Sequence, residues 1–147
     1  MRIVVLGCLL FVALSLLASD KDKNKQEAPP AVPGKPIVLP NGLKIWELKI
    51  GTGARAIGGM DLTVNYTGWV LKGARFDSSD DHGGPLTFRL EDRQVIKGWD
   101  EGLKGMRVGG KRRLEIPPEL AYGERGKGKN VPPNATLVFD IELLAVN

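Results

Sequence analysis

Six aromatic side chains, spread over different parts of the sequence, are the first residues that could form a functional site. They are Tyr66, Phe76, Phe88, Trp99, Tyr122 and Phe139. Aromatic residues that converge usually pack a core. Yet Tyr66 and Tyr122 carry hydroxyls that need partners when buried, and Trp99 would be placed to form the floor of a cavity. The residue types alone leave a packed core and a binding pocket as open alternatives.

Side chains for acid–base, nucleophilic or metal chemistry are scarce. His82, the only histidine, lies in the polar turn Asp80-Asp81-His82-Gly83-Gly84, and Cys8 is the only cysteine. We therefore expect a solvated turn at His82, no disulfide framework and no metal site. The preceding run from Asp77 to Asp80 is consistent with turn chemistry, because short polar side chains bond to nearby backbone groups. A functional role for this run is the alternative that the residues alone leave open.

A near match to a phosphate-binding loop at Gly123–Asn130 does not predict nucleotide binding. Asn130 stands where the motif needs serine or threonine, and Pro132-Pro133 oppose the helix that such a loop must open. The 21 basic and 17 acidic side chains are interspersed, which gives a formal charge of only +4. We expect neither nucleotides nor nucleic acid as partners.

The elements that would position these residues are mostly strands. Near-alternate apolar and polar residues predict five of them, over Leu43–Ile50, Leu62–Leu71, Leu86–Leu90, Lys111–Ile116 and Thr136–Val146. Helical spacing of Val95, Ile96, Trp99 and Leu103 predicts one short helix, which Gly105 would end. Long loops are expected over Asp77–Pro85 and Gly123–Pro133. This pattern predicts an α+β domain in which an antiparallel sheet of about five strands wraps around one short helix.

The N-terminal part of the chain differs in composition from the rest. A run of about 15 mostly apolar residues after Arg2 predicts a signal peptide over residues 1–19, with an uncleaved anchor as the alternative. Residues 20–38 are charged and then proline-rich, which predicts a disordered tether. The folded domain would occupy residues 39–147. We expect an exported protein, periplasmic or extracellular, with tethering to a membrane left open.

Five sequence blocks, in order, resemble the FKBP-type peptidyl-prolyl isomerase family over residues 39–147. They are Val64-Asn-Tyr66-Thr-Gly68, Phe76-Asp77-Ser78-Ser79, Val95-Ile96-Lys-Gly98-Trp99, Ala121-Tyr122-Gly123 and Ala135–Leu143. The resemblance implies a half-barrel of antiparallel strands with a shallow apolar pocket for proline. It also implies cis/trans isomerisation of X-Pro bonds without a cofactor or metal. The implied partners are unfolded or proline-containing polypeptides and ligands of the tacrolimus and rapamycin type.

The resemblance also assigns roles to individual residues. Trp99 would form the pocket floor, and Ile96 would offer its backbone N–H to a substrate carbonyl. Tyr122 would donate a hydroxyl, and Asp77 would stand at the rim near a tyrosine hydroxyl and the bound amide. The walls would come from Tyr66, Phe76, Val95 and Phe139. Substrate contacts would also come from Leu86, Lys127 and Val131.

Three positions depart from the family pattern: Leu86 replaces a common aromatic residue, Lys127 a histidine and Asn130 an isoleucine. Leu86 keeps the site apolar but gives up ring area, whereas Lys127 and Asn130 make the nearby loop more polar. These changes are expected to tune ligand affinity and the preference for the residue before proline. The alternative function is a non-catalytic chaperone, or holdase, that binds unfolded chains in the same groove.

Overall fold

The structure, a computed structural model, describes residues 28–147. The predicted signal peptide and the first part of the predicted tether lie outside the described residues. Within residues 28–147, no helix is long and apolar enough to cross a membrane.

Seven antiparallel strands form one sheet that does not close into a barrel. Their order is β1-β2-β6-β7-β3-β4, and β5 pairs with β3 beside β4. The long strand β3 is therefore central, because β7 pairs along one of its edges while β4 and β5 share the other. The strands are β1 (Ile37–Val38), β2 (Lys44–Lys49), β3 (Asp61–Val70), β4 (Arg75–Ser78), β5 (Leu86–Arg89), β6 (Lys111–Ile116) and β7 (Leu137–Val146).

Alternation of side chains gives the sheet an inner face and an outer face. In β7, four apolar residues point to the inner face and are buried in the core, while Asp140 and Glu142 lie on the outer face. Because side chains alternate with a period of two, a slip of one residue would expose this whole apolar set. Burying a large aliphatic side chain stabilises a fold by about 1.5–3 kcal/mol. The four buried residues are Leu137, Phe139, Ile141 and Leu143.

The one α-helix, α1 (Lys97–Gly102), packs on the inner face against β6. Its glycines allow this close approach: a Cβ at Gly102 would lie only 2.6 Å from Leu114, and a Cβ at Gly98 would lie even closer to Ile116. Gly105 follows the helix in the left-handed conformation, with φ of 74°, as its predicted role as terminator requires. The helix begins later than the helical spacing predicts, at Lys97, because the backbone of Ile96 is still extended.

Two predictions need correction. The tether prediction over residues 20–38 is wrong at its C-terminal end: Ile37 and Val38 pair with β2, so the domain begins before residue 39. The expected loop over Asp77–Pro85 begins with the end of β4 and continues as a 3-10 helix over Ser79–His82. Ser78 caps this helix by accepting a hydrogen bond from the Asp80 N–H at 3.3 Å. A second 3-10 helix covers Pro118–Leu120.

Candidate active site

A cavity of about 180 Å³ opens between the inner face of the sheet and the N-terminal end of α1. Ten of the eleven residues predicted for the site line it, and Gln94 is the one additional lining residue. Strands β3, β4, β5 and β7 contribute side chains, as do the segment before α1 and the loop after the second 3-10 helix. The predicted residues that line the cavity are Tyr66, Phe76, Asp77, Leu86, Val95, Ile96, Trp99, Tyr122, Lys127 and Phe139.

The floor of the cavity is an aromatic cluster centred on Trp99, which is only 4% exposed. The Trp99 ring meets Tyr66 edge-on at a centroid distance of 5.0 Å and Phe139 at 5.2 Å. Phe88 packs against the same indole at 5.7 Å but does not line the cavity. Edge-to-face pairs of this kind stabilise by about 0.5–1.5 kcal/mol beyond the area they bury. The cluster is therefore part of the core and also forms the floor of the cavity.

The indole Nε1 of Trp99 is buried and has no hydrogen-bond partner among the described residues. Leaving a buried donor unpaired costs about 1–3 kcal/mol, and most folded proteins avoid that cost. The floor of the cavity therefore contains a buried hydrogen-bond donor without a partner in the described chain, which is rare in a protein core.

Gly68 makes room for the wall formed by Phe139 and Phe76. A Cβ at this position would lie 2.6 Å from the Phe139 ring and 3.0 Å from that of Phe76. The two rings meet edge-on at 5.6 Å, directly beside the glycine. Gly68 pairs with Phe139 across β3 and β7. This cross-strand register depends on tertiary structure, so the sequence alone does not predict it.

Asp77 stands at the rim, where three hydrogen bonds fix its carboxylate. Oδ2 accepts a bond from the Tyr66 hydroxyl at 2.9 Å, and Oδ1 accepts one from the Ser78 N–H at 2.9 Å. Burial, reinforced by this contact with the carboxylate, raises the pKa of Tyr66 well above its ordinary range. Tyr66 therefore remains a neutral hydroxyl donor at any pH near neutrality.

His82 supplies the third bond to Asp77, with Nε2 at 2.8 Å from Oδ1. His82 is exposed, as expected for a solvated turn, but its bond to Asp77 was not predicted from the sequence. The 3-10 helix places the histidine back over the end of β4, five residues from Asp77 in sequence. Ser79 anchors that helix to β3, because its Oγ accepts a hydrogen bond from the Tyr66 N–H at 3.1 Å.

The far side of the cavity mouth carries two further donors. Tyr122 is half-buried, and Lys127 lies over its ring at 5.1 Å with Nζ 3.4 Å from the hydroxyl. At the N-terminal end of α1, no group in residues 28–147 accepts a hydrogen bond from the Ile96 N–H. The mouth therefore combines a carboxylate, an ammonium group, hydroxyls and an unpaired backbone donor around an apolar floor.

The prediction that Val131 contacts substrate is not supported by its position. Its side chain is only 2% exposed and belongs to the hydrophobic core, not to the cavity lining. Its backbone does pair with that of Lys127, through bonds of 2.9 and 3.2 Å. Val131 therefore positions the loop that carries Lys127.

A larger cleft, of about 310 Å³, lies on the outer face of the sheet. Charged side chains of β4, β6 and β7 surround it, and Tyr66 is the only residue that it shares with the inner cavity. Size alone would favour this cleft. The inner cavity is the better candidate because it combines an apolar floor with a few convergent polar groups, as small-molecule and peptide sites do. Within the described chain, no group of three acidic, histidine or cysteine residues is placed to hold a metal ion.

Comparison with known proteins gives a consistent result. Residues 53–144 match the sequence model of the FKBP-type peptidyl-prolyl cis-trans isomerase family. An FK506-binding protein of Neisseria meningitidis serogroup B is 54% identical over 105 residues, which cover 71% of this chain and 96% of that protein. FK506-binding protein 2 of Dictyostelium discoideum is 52% identical over 89 residues, which cover 60% of this chain and 67% of that protein.

Solved structures show the same similarity. The crystal structure of AtFKBP13 superposes with a TM-score of 0.70 at 44% identity, covering 75% of this chain and 97% of that one. FkpA from Escherichia coli gives 0.70 at 46% identity, covering 76% of this chain and 51% of FkpA. The family match spans the strands and the helix that build the cavity. The chain therefore belongs to the FKBP-type peptidyl-prolyl cis-trans isomerase family.

Proposed function

We propose that this protein accelerates cis/trans rotation of X-Pro bonds in exported polypeptides, using the cavity floored by Trp99. The observation that carries the proposal is the combination of an aromatic floor with a fixed carboxylate and an unpaired Ile96 N–H at the mouth. A proline ring is apolar and compact enough to enter such a cavity. The residues on either side of the proline would then lie at the mouth, among the polar groups.

The reaction requires binding and no covalent step. Rotation about a peptide bond costs roughly 18–20 kcal/mol because the amide loses its resonance, and X-Pro bonds isomerise unaided over tens to hundreds of seconds. Only groups that bind the twisted amide better than either planar form accelerate the rotation. A barrier lower by about 7 kcal/mol corresponds to a rate roughly 10⁵-fold higher.

Each part of the cavity has a role in this mechanism. The rings of Trp99, Tyr66 and Phe139 would remove water from the amide, which favours the less dipolar twisted state over the planar ones. The Ile96 N–H and the Tyr122 hydroxyl would hold the chain beside the proline. Asp77 would tune the polarity near the amide without transferring a proton, since its carboxylate is already occupied by three donors.

Ligands of the FK506 type are proposed for the same cavity, because the relatives at about half identity are named FK506-binding proteins. Leu86 is exposed, and both Leu86 and Lys127 line the cavity. Both would set how tightly a bulky ligand binds.

Export is proposed from the apolar N-terminal segment. Expression in bacteria, followed by fractionation and N-terminal sequencing of the purified chain, tests it. We expect a periplasmic product that begins near Asp20. A product that retains Met1 in the cytoplasm would contradict export and would leave the isomerase proposal in place.

Refolding of a test protein with a proline-limited slow phase measures the activity directly. The chain, added in catalytic amounts, should accelerate that phase in proportion to its concentration, and FK506 or rapamycin should block the acceleration. Acceleration without inhibition would support the isomerase and assign the drug resistance to Leu86 and Lys127. No acceleration by a chain that is folded by circular dichroism would contradict the proposal and favour the holdase.

A further inference from the structure

His82 is bonded to a residue of the candidate site and is itself accessible. Its side chain is 64% exposed and that of Asp77 is 30% exposed, with 2.8 Å between Nε2 and Oδ1. An ordered 3-10 helix holds His82 in this position. Ser79 anchors the 3-10 helix to β3, and Gly83 ends it with φ of 84° and an N–H that bonds to the Asp80 carbonyl.

The chemistry of the pair fixes which atom carries the proton. An ionised carboxylate only accepts hydrogen bonds, so Nε2 of His82 donates whether the ring is neutral or charged. Protonation of the other ring nitrogen therefore leaves this contact in place and adds one positive charge beside Asp77. The net charge of the pair changes from −1 to 0 while its geometry persists.

Histidine is the side chain that ordinarily changes charge between pH 5 and 8, and His82 is the only one in the chain. The charged groups nearby are Asp80 and Asp81, on the same 3-10 helix, and Arg75 of β4, which pairs with Asp81 at 2.8 Å. The remaining charged or titratable groups around the mouth are Tyr66 of β3 and Tyr122 and Lys127 across the opening. His82 is thus the group that can switch the charge of this rim near neutral pH.

We propose that His82 is a positioning residue of the isomerase site, which holds Asp77 and makes selection of the residue before proline dependent on pH. This inference rests on the proposed function. At high pH the rim beside Asp77 is negative and disfavours an acidic residue before proline. At low pH the pair is neutral, and the disadvantage of the acidic substrate disappears.

Coulomb's law gives the order of magnitude of the effect. One charge at about 8 Å in a water-like environment changes an interaction by a little over twofold. Acidic and basic substrates move in opposite directions, so their ratio should change by about fivefold between pH 5.5 and pH 8.0. Because the rim is solvent-exposed, 0.5 M NaCl should remove most of the change.

The experiment compares kcat/KM for peptides with Glu, Leu or Lys before proline at the two pH values. Three chains are used: wild type, His82→Gln, which keeps a neutral donor, and His82→Arg, which carries a permanent charge. We expect the Glu-to-Lys ratio to rise about fivefold at low pH in wild type. The ratio should stay at the high-pH value in His82→Gln and at the low-pH value in His82→Arg.

Two results would overturn the inference: an unchanged ratio in wild type, or a pH-dependent ratio that survives in both variants. The second result would assign the titration to a group other than His82. Failure of the proposed function would appear separately, as no turnover of the Leu-Pro peptide by any chain. In that case the same ratios are measured as peptide affinities by Trp fluorescence, which tests His82 without turnover.

Discussion

Each face of the sheet buries a tryptophan, but the two faces differ in whether the buried polar groups are hydrogen-bonded. On the outer face Trp69 is 3% exposed, and the Arg113 guanidinium lies 6.0 Å from its ring. Arg113 forms two parallel bonds of 2.6 and 2.8 Å to the carboxylate of Asp140, and its remaining nitrogen bonds to the Pro30 carbonyl. On the inner face, the buried Nε1 of Trp99 has no partner in the described part of the chain.

The difference separates stability from function. On the outer face a buried charge is fully paired, which is what a group retained for the fold requires. On the inner face, the buried indole donor of Trp99 has no partner among the described residues and lies in the floor of the cavity. We infer that the Arg113–Asp140 pair serves mainly stability, and that the residues lining the cavity serve activity.

The largest effect is expected for Arg113→Ala on the outer face. Removing Arg113 leaves the largely buried Asp140 carboxylate without its partner, and breaking a buried pair in this way costs about 3 kcal/mol. The free energy of unfolding in urea measures the loss. The double change to Arg113→Met and Asp140→Leu should recover most of it. We expect full isomerase activity in the folded fraction. Loss of that activity would contradict the inference that this pair serves stability and not activity.

A smaller effect, on activity, is expected for Trp99→Leu on the inner face. The change removes the cavity floor and its edge-to-face contacts with Tyr66 and Phe139, so kcat/KM should fall at least about tenfold, or 1.4 kcal/mol.

Phe88→Leu is the matched control for Trp99→Leu. It removes a ring that touches the same indole from outside the cavity. It should cost a similar amount of stability and keep kcat/KM within about twofold of wild type. Equal activity losses in the two variants would mean that core packing, and not the cavity floor, controls the rate.

A further test changes the carboxylate at the rim. Asp77→Ala should lower kcat/KM about fivefold, or roughly 1 kcal/mol, while the domain stays folded because the side chain is only partly buried. Asp77→Asn keeps an oxygen acceptor for Tyr66 and removes the charge, so it separates positioning from electrostatics. Unchanged kinetics in both variants would exclude Asp77 from the mechanism.

The pKa of Tyr66 gives a second measurement on the Asp77 variants. Burial is the largest cause of its raised pKa, and the hydrogen bond to Asp77 and the charge of Asp77 follow. Asp77→Asn removes that charge and keeps an acceptor, so it should bring the pKa of Tyr66 part of the way back toward the ordinary tyrosine value. Phenolate absorbance measured in alkaline titrations detects the shift. An unchanged titration curve would mean that the charge of Asp77 contributes nothing to the pKa of Tyr66.

The smallest effect is expected for Lys127→Met at the mouth. Lys127 is exposed and lies over the Tyr122 ring, so its charge acts through solvent and contributes weakly. We expect the preference for Glu-Pro over Leu-Pro peptides to fall about twofold. Lys127→Arg keeps the charge and serves as the control. A fall of tenfold or more would mean that Lys127 contacts the substrate directly.

The sequence predicted the longer strands well, because each has enough residues to show its alternation. The predicted bounds of β6, Lys111–Ile116, agree with the structure, and those of β7 differ by one residue. Strand β1, of two residues, is too short to carry a pattern. Strand β4 has the same length as β5 but only one apolar residue, Phe76, so it shows no alternation. They form because longer neighbours offer unpaired edges, which depends on tertiary structure and not on local sequence.

Predictions for the site depended on the family resemblance as well as on residue types. That resemblance placed the aromatic residues and Asp77 on one cavity, and the structure brings them together. It did not find the bond from His82 to Asp77, because that contact depends on a 3-10 helix that reverses the chain within five residues. It also misplaced Val131, whose apolar type fits a pocket wall and a core position equally well.

The contact between Pro30 and Arg113 shows where the N-terminal end of the described chain lies. Pro30 lies at the outer cleft, on the side of the sheet opposite to Phe139 and the cavity. This end of the described chain is therefore held behind the sheet, and a polypeptide can reach the mouth of the cavity without contacting it.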